Sequence, residues 1–286
     1  MARVLLGVGA MIGLMTGTVA AADLPRRTSP PPVFVPLPSF SWTGFYAGVQ
    51  AGYGFTDRQT VRTAATSENG SGTDFFIERS GIASLSSQQQ GFVAGGQAGY
   101  NYQLTPGSGL VLGIETDIAY TDLDETKRRS RSLFGSGSDA FVVNTTRQSL
   151  DFLGTVRGRL GYAFDRVLVY GTGGLAYGNV NDQSATSFQV AGVPTLDLFA
   201  GGIDRLETGF AYGGGIEYAL PTESFLNVFQ SSAVTLKVEY LHYDLGKRSV
   251  PLTSSSGLGQ SLVEATSRFR SEGSVVRVGL NYKFGS

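Results

Sequence analysis

The residues in this chain that can do chemistry are charges set at alternate positions. Glu115 and Asp117, Arg157 and Arg159, and Lys237 and Glu239 are each separated by one residue, with Glu217 and Arg277 in similar Gly- and Val-rich surroundings. In an extended chain, residues i and i+2 share a face, so each pair points the same way. Facing rows of carboxylates and cations either neutralise one another in a closed interior or guide ions through a pore. Lys127, Arg128, Arg129 and Arg131 form a basic run elsewhere, and Lys247, Arg248, Arg268 and Arg270 flank a later segment. Both groups suit the phosphates of lipopolysaccharide through charge-assisted bonds; solvated loops fit them equally well. His242 is the single histidine and cysteine is absent, so no cluster of His or Cys is available for a metal or haem, and no cofactor is expected. No pattern pairs a serine with a histidine and an acid, so no enzyme is expected either. Gly171 to Gly178 superficially matches a nucleotide-binding loop, but no helix follows it.

Those charges need strands to hold them. From Trp42 onward, eight segments alternate with a period of two. Phe45, Ala47, Val49, Ala51, Tyr53 and Phe55 oppose Tyr46, Gly48, Gln50 and Gly52, and Leu110, Leu112, Ile114 and Ile118 oppose Glu115 and Asp117. Leu150, Phe152, Val156, Leu160, Tyr162 and Phe164 oppose Asp151, Arg157 and Arg159, and Val276, Val278, Leu280, Tyr282 and Phe284 oppose Arg277, Asn281 and Lys283. The fifth segment, 167–178, is small or apolar on both faces, so its register is open to a one-residue slip. The connections alternate in length. Leu104 to Gly109 and Asp165 to Arg166 are short, whereas Thr56 to Gln90, Leu123 to Arg147, Asn179 to Glu207 and Gly246 to Ser271 are long and rich in Ser, Thr and Gly. Pro221 to Ser232 is long for a short-side turn. An even strand number with short turns on one side is the layout of bacterial outer-membrane barrels.

Composition supports that reading. There are 40 Gly, 13 Tyr and 18 Phe with only 16% charged residues, and the charges share their face with glycine while the opposite face is apolar. A soluble barrel buries its apolar face; here lipid must cover it, and closure satisfies every backbone hydrogen bond in hydrocarbon. Trp42, Tyr53, Tyr102, Tyr162, Tyr240 and Tyr282 fall near strand ends and fit interfacial girdles. Residues 1–22 read as a secretory signal, with Arg3, an apolar run from Val4 to Val19 and small residues Ala20 to Ala22. The proline-rich stretch 23–41 reads as a periplasmic leader, and 42–284 as the barrel domain. A formal net charge of −1 excludes a nucleic-acid-binding face.

Trp42-Thr43-Gly44-Phe45-Tyr46-Ala47-Gly48, the stretch Gly171 to Gly178, Glu239-Tyr240-Leu241 and the ending Val276 to Phe284 resemble the alpha-proteobacterial porin-like outer-membrane immunogenic proteins. The resemblance implies an OmpA-like eight-stranded antiparallel up-and-down barrel in the cell outer membrane. It also implies a terminal aromatic, here Phe284, read by the barrel-insertion machinery, after passage with periplasmic chaperones. The expected function is an envelope protein with a structural and surface-display role, in contact with outer-membrane lipid and lipopolysaccharide. Passage of small solutes is one alternative, and loop binding of lipopolysaccharide, haem or host molecules another. Nothing in the residue pattern specifies an oligomeric state.

Overall fold

The computed structural model describes residues 40–56, 59–67, 85–135, 137–221, 224, 233–254 and 263–284. The signal segment, the leader up to residue 39 and most of the 221–232 link lie outside the described residues. The strands are β1 (Gly44–Phe55), β2 (Gln59–Ser67), β3 (Leu85–Ser87), β4 (Gln90–Gln103), β5 (Ser108–Ser132), β6 (Ala140–Phe164), β7 (Val167–Val190), β8 (Leu196–Ala219), β9 (Val234–Ser254) and β10 (Val263–Phe284). Eight of them, β1 and β4 to β10, make an antiparallel ring that closes where β1 pairs β10 from Phe45↔Phe284 to Phe55↔Ser274. The expected eight-stranded up-and-down barrel is therefore present. β2 pairs on the start of β10 and β3 pairs on β2, so the two extend the wall beyond the ring.

Alternation sets the two faces. On β5, Ile114 is 57% exposed while the adjacent Glu115 is fully buried in the lumen. The exposed apolar band runs over Leu110–Tyr120 on β5, Phe45–Phe55 on β1 and Phe210–Tyr218 on β8. These are stretches of about 9–11 residues, the length a tilted strand needs to cross hydrocarbon. The fifth segment also takes a single facing: Tyr170, Thr172 and Ala176 point inward, and Val169 and Leu175 outward.

Three expectations need correction. The stretches Leu123 to Arg147, Asn179 to Glu207 and Gly246 to Ser271 are mostly strand, not loop. β5 and β6 have 25 residues each, roughly 80 Å of chain at ~3.3 Å per residue, against an apolar band ~25 Å tall. Pairing continues past the bilayer, from Lys127↔Thr146 to Ser132↔Phe141; outside lipid both sheet faces can be polar, so Ser and Thr do not mark loops there. Second, a register shift between Leu150 and Phe152 turns Leu150 inward and leaves Asp151 exposed, reversing the facing read from uninterrupted alternation, because a bulge adds one residue to the count. Third, Trp42 belongs to no girdle: it is 1% exposed, inside the short-turn mouth of the barrel.

Candidate functional site, the filled barrel interior

The lumen is packed in layers. At the short-turn end the chain before β1 folds under the barrel, and Phe40 and Trp42 pack on Val111, Ala163, Leu168 and Tyr170. The indole Nε1–H of Trp42 donates to the Asp165 carbonyl at 2.9 Å, and its backbone N–H donates to Gln103 Oε1 at 2.8 Å. Asp165 sits in the two-residue turn between β6 and β7 with φ at 54°, a left-handed conformation that is uncommon outside glycine. Its carboxylate accepts from the Phe40 N–H at 3.3 Å, so the plug and the turn support each other.

Above this plug lies the charge layer, and it brings all eight of the interior charges read from the sequence together. Four carboxylates (Glu115, Asp117, Glu217, Glu239) meet four cations (Arg157, Arg159, Lys237, Arg277). Glu115 faces Arg157 in register on β5 and β6, and Glu239 faces Arg277 on β9 and β10. Other contacts cross the lumen: Lys237 Nζ reaches Glu115 at 3.0 Å, Arg157 Nη1 reaches Glu239 at 3.1 Å, and Arg277 Nη1 reaches Asp117 at 2.9 Å. Glu217 faces Lys237 in register, yet it pairs with Arg159 at 2.7 Å and accepts from Asn281 at 2.8 Å. The remaining lone pairs are met by hydroxyls, with Tyr46 donating to Glu115 at 2.7 Å and Tyr170 to Glu239 at 3.0 Å. Glycines make the room. A Cβ on Gly279 would lie 3.1 Å from the Lys237 stem, and one on Gly215 would lie 2.7 Å from the Tyr170 hydroxyl.

An apolar layer caps the charges, where Leu123, Leu153, Val180, Leu241, Tyr243 and Val275 pack together with 2% exposure or less. Beyond the bilayer the inner faces of β7, β9 and β10 meet. Arg248 Nε donates to Asp182 Oδ2 at 2.7 Å, and Ser267 Oγ to Ser184 Oγ at 3.2 Å. Val61, Val250, Leu252 and Phe269 form a further apolar cluster beside them. Along this stretch the β8–β9 ladder is interrupted between Ala200 and Phe210, so the cross-lumen contacts hold the extracellular half together. Burial pushes the Asp182 carboxyl above the usual carboxylate range, against the pull of Arg248.

Neither apolar layer was anticipated from the sequence, though the signal existed. Trp42, Val93, Leu153, Leu241 and Val275 share parity with Tyr46, Gln97, Arg157, Glu239 and Arg277, so alternation carried past the charges places them inside. The basic run is not gathered into one site. Arg128 points outward and meets Gln189 at 3.4 Å, while Lys127 pairs with Glu125 at 2.5 Å on the opposite face. The run lies 7–11 residues beyond Tyr120 on β5, roughly 20–30 Å above the lipid band at the usual rise and tilt. Of the second group, Arg248 is buried on Asp182 and Arg270 bonds Asp244 at 2.6 Å, while Lys247 and Arg268 are exposed. His242 sits at the upper rim, its ring 5.1 Å from Tyr212 and its Nδ1 3.2 Å from Ser274 Oγ. Phe284 faces lipid, opposite Phe45. Gly171 to Gly178 lies within β7.

Residues 12–284 match the model of the outer membrane protein beta-barrel domain family. The 31 kDa outer-membrane immunogenic protein of Brucella melitensis biotype 1 is 36% identical over 277 residues, covering 96% of this chain and 98% of its own. The 25 kDa outer-membrane immunogenic protein of Brucella canis is 25% identical, covering 97% and 96%. A 22 kDa outer membrane protein of Rhizobium leguminosarum bv. viciae is 27% identical, covering 77% and 72%. Among solved structures, the outer membrane protein OprG from Pseudomonas aeruginosa aligns with 85% of this chain and 97% of its own at 13% identity and a TM-score of 0.35, too loosely to transfer any residue. With its closed ring, lipid-facing apolar band and charged lumen, this chain belongs to the outer-membrane β-barrel family shared with the alpha-proteobacterial immunogenic proteins and is an integral protein of the outer membrane.

Proposed function

We propose that the protein is a sealed structural barrel that stabilises the outer membrane, holds lipopolysaccharide around its wall and displays long β-hairpins on the cell surface. The observation that carries this reading is the filling of the lumen. Two apolar layers with members at 0–9% exposure stand on either side of a charge layer in which each of the eight ions has a partner. An eight-stranded barrel has little more internal space than its own side chains need, and water-filled passage through these layers would require displacing Trp42 at one end and Tyr243 at the other. Small-solute transport is therefore the weaker reading.

A role without catalysis fits the one histidine. His242 offers Nδ1 to Ser274, and the oxygens of Asp244 are taken by the Gly246 N–H and Arg270 rather than by the ring. In this reading the exposed Phe284 is recognised by the barrel-insertion machinery after delivery by periplasmic chaperones. The basic run Lys127, Arg128, Arg129 and Arg131 serves outer saccharides or soluble partners rather than lipid-linked phosphates, because of its height above the band.

Osmotic swelling of proteoliposomes in small sugars tests the sealed state. The refolded protein should swell no faster than empty liposomes. Swelling that falls with solute size would replace this reading with that of a porin.

A further inference from the structure

The outward face of the hairpin extensions carries a groove with no role in closing the barrel. Thr145 and Arg147 on β6, Gln183 and Ala185 on β7, and Ala200 and Gly202 on β8 line a concavity of about 310 Å³. Register sets them in two rows, Arg147↔Gln183↔Gly202 and Thr145↔Ala185↔Ala200. The small residues form the floor. The polar rim carries no excess positive charge, because the guanidinium of Arg147 is matched by Asp124, whose carboxylate accepts from Nε at 3.3 and 3.2 Å and from Nη2 at 2.5 Å. The row nearer the membrane continues the polar character: Asn179 donates one amide hydrogen to Asp151 at 3.0 Å and the other to Asp204 at 2.8 Å.

We infer that this groove binds the neutral sugars of lipopolysaccharide standing in the same leaflet, an inference that rests on the lipopolysaccharide contact proposed above. Three observations lead there. Planar amide, carboxylate and guanidinium groups beside a hydroxyl match the donors and acceptors of sugar hydroxyls. A rim with no excess positive charge, bordered by the carboxylates of Asp151 and Asp204, gives no advantage to a phosphate. The groove begins 5 residues beyond Phe152 on β6 and 8 beyond Phe210 on β8, roughly 10–25 Å above the lipid band at the usual rise and tilt. That height is where the saccharide of a neighbouring lipopolysaccharide stands. The volume lies at the small end of the roughly 300–1,000 Å³ typical of ligand sites, so a free glycan would bind weakly. A sugar tethered beside the wall by its own lipid meets the groove at an effective concentration in the millimolar range, enough to occupy a weak site.

The test uses the full mature chain refolded into nanodiscs, with retained lipopolysaccharide quantified by mass spectrometry from mixtures of complete-core and deep-truncated molecules. The wild type should retain the complete-core form preferentially by roughly fivefold, about 1 kcal/mol. Ala185→Trp and Ala200→Trp fill the groove from outside the lumen and should abolish the preference while the barrel remains heat-modifiable on a gel; Phe134→Ala, at the hairpin tip, should keep it. Equal retention of both forms by the wild type, or a preference that survives both tryptophans, overturns the groove while leaving lipopolysaccharide contact in place. Retention of neither form overturns that contact as well. Binding of lipid-free core oligosaccharide at micromolar rather than millimolar concentration would overturn the tethered-sugar assignment in favour of a soluble glycan.

Discussion

Arg157 is the residue on which most of the charge layer depends, because its guanidinium touches Glu115, Asp117 and Glu239 at 2.6, 2.8 and 3.1 Å with no exposure to solvent. Removing one member of a buried ion network leaves uncompensated charge and costs about 3–5 kcal/mol. Arg157→Met should therefore lower the unfolding free energy in urea by that amount, read as a lower midpoint at unchanged slope. A variant that unfolds at the wild-type midpoint would show that the layer is loosely solvated. A smaller fit appears on the lipid side, where Gly154 lies beneath the Tyr177 ring: a Cβ there would come within 2.5 and 2.6 Å of its ring and hydroxyl atoms. Gly154→Val should expel that ring at a cost of about 1–3 kcal/mol, read as lost protection of Tyr177 in quenching or exchange experiments. The eight interior charges could be read from the sequence, because charge beside glycine at alternate positions, opposite an apolar face, is what a polar lumen inside a lipid-facing wall requires. Their partners could be read only in part, since register brings Glu115 to Arg157 and Glu239 to Arg277 but not the cross-lumen pairs. In-register pairing predicts Glu217 with Lys237, whereas side-chain reach across a narrow lumen sends Lys237 to Glu115 and Glu217 to Arg159.

At the scale of elements, the extensions of β5 to β10 beyond the lipid separate into a dispensable tip and a packed base. Pairing Lys127 directly with Thr146 keeps the register of β5 and β6, so replacing residues 128–145 by a tight turn should leave a heat-modifiable, membrane-inserted barrel. Failure to insert would mean that the hairpin itself guides assembly. The base is tied by Asp182 and Arg248. Breaking this pair with Arg248→Met should strip hydrogen-exchange protection from the upper halves of β7 and β9, whereas the double change Asp182→Leu with Arg248→Met should restore it, since an apolar replacement of a buried pair is often neutral or stabilising. The acid response follows from burial, which raises the Asp182 carboxyl. A raised folded value means that the folded state holds the proton more tightly than the unfolded chain. This group therefore adds stability as pH falls from the raised value toward the ordinary aspartate value near ~4, and loses it again as pH rises. Protection of β7 should increase on mild acidification in the wild type and lose that dependence in the double variant. Strand number, order and lipid-facing residues were legible in the period of two. The bulge after Leu150 was not, since one inserted residue resets parity without changing composition. Nor were the strand extensions, because above the bilayer neither sheet face need be apolar.

For the molecule as a whole, the sequence separates a lipid face from a lumen face but says little about how tightly the lumen is filled. Polar residues facing inward are compatible with a water-filled channel or with a packed interior. The deciding features are Trp42 and Phe40 folded into one mouth, the apolar layer around Leu241 and Tyr243 above the charges, and the meeting of β7 with β9 and β10 beyond the membrane. Single-channel recording of the chain refolded from residue 23 onward in a planar bilayer tests the resulting claim most directly, once an unboiled sample has been shown to migrate as a folded barrel. A sealed lumen predicts no reproducible current steps. Steps whose size or ion preference changes with Arg157→Glu would show that ions pass through the charge layer and would contradict the sealed, structural barrel.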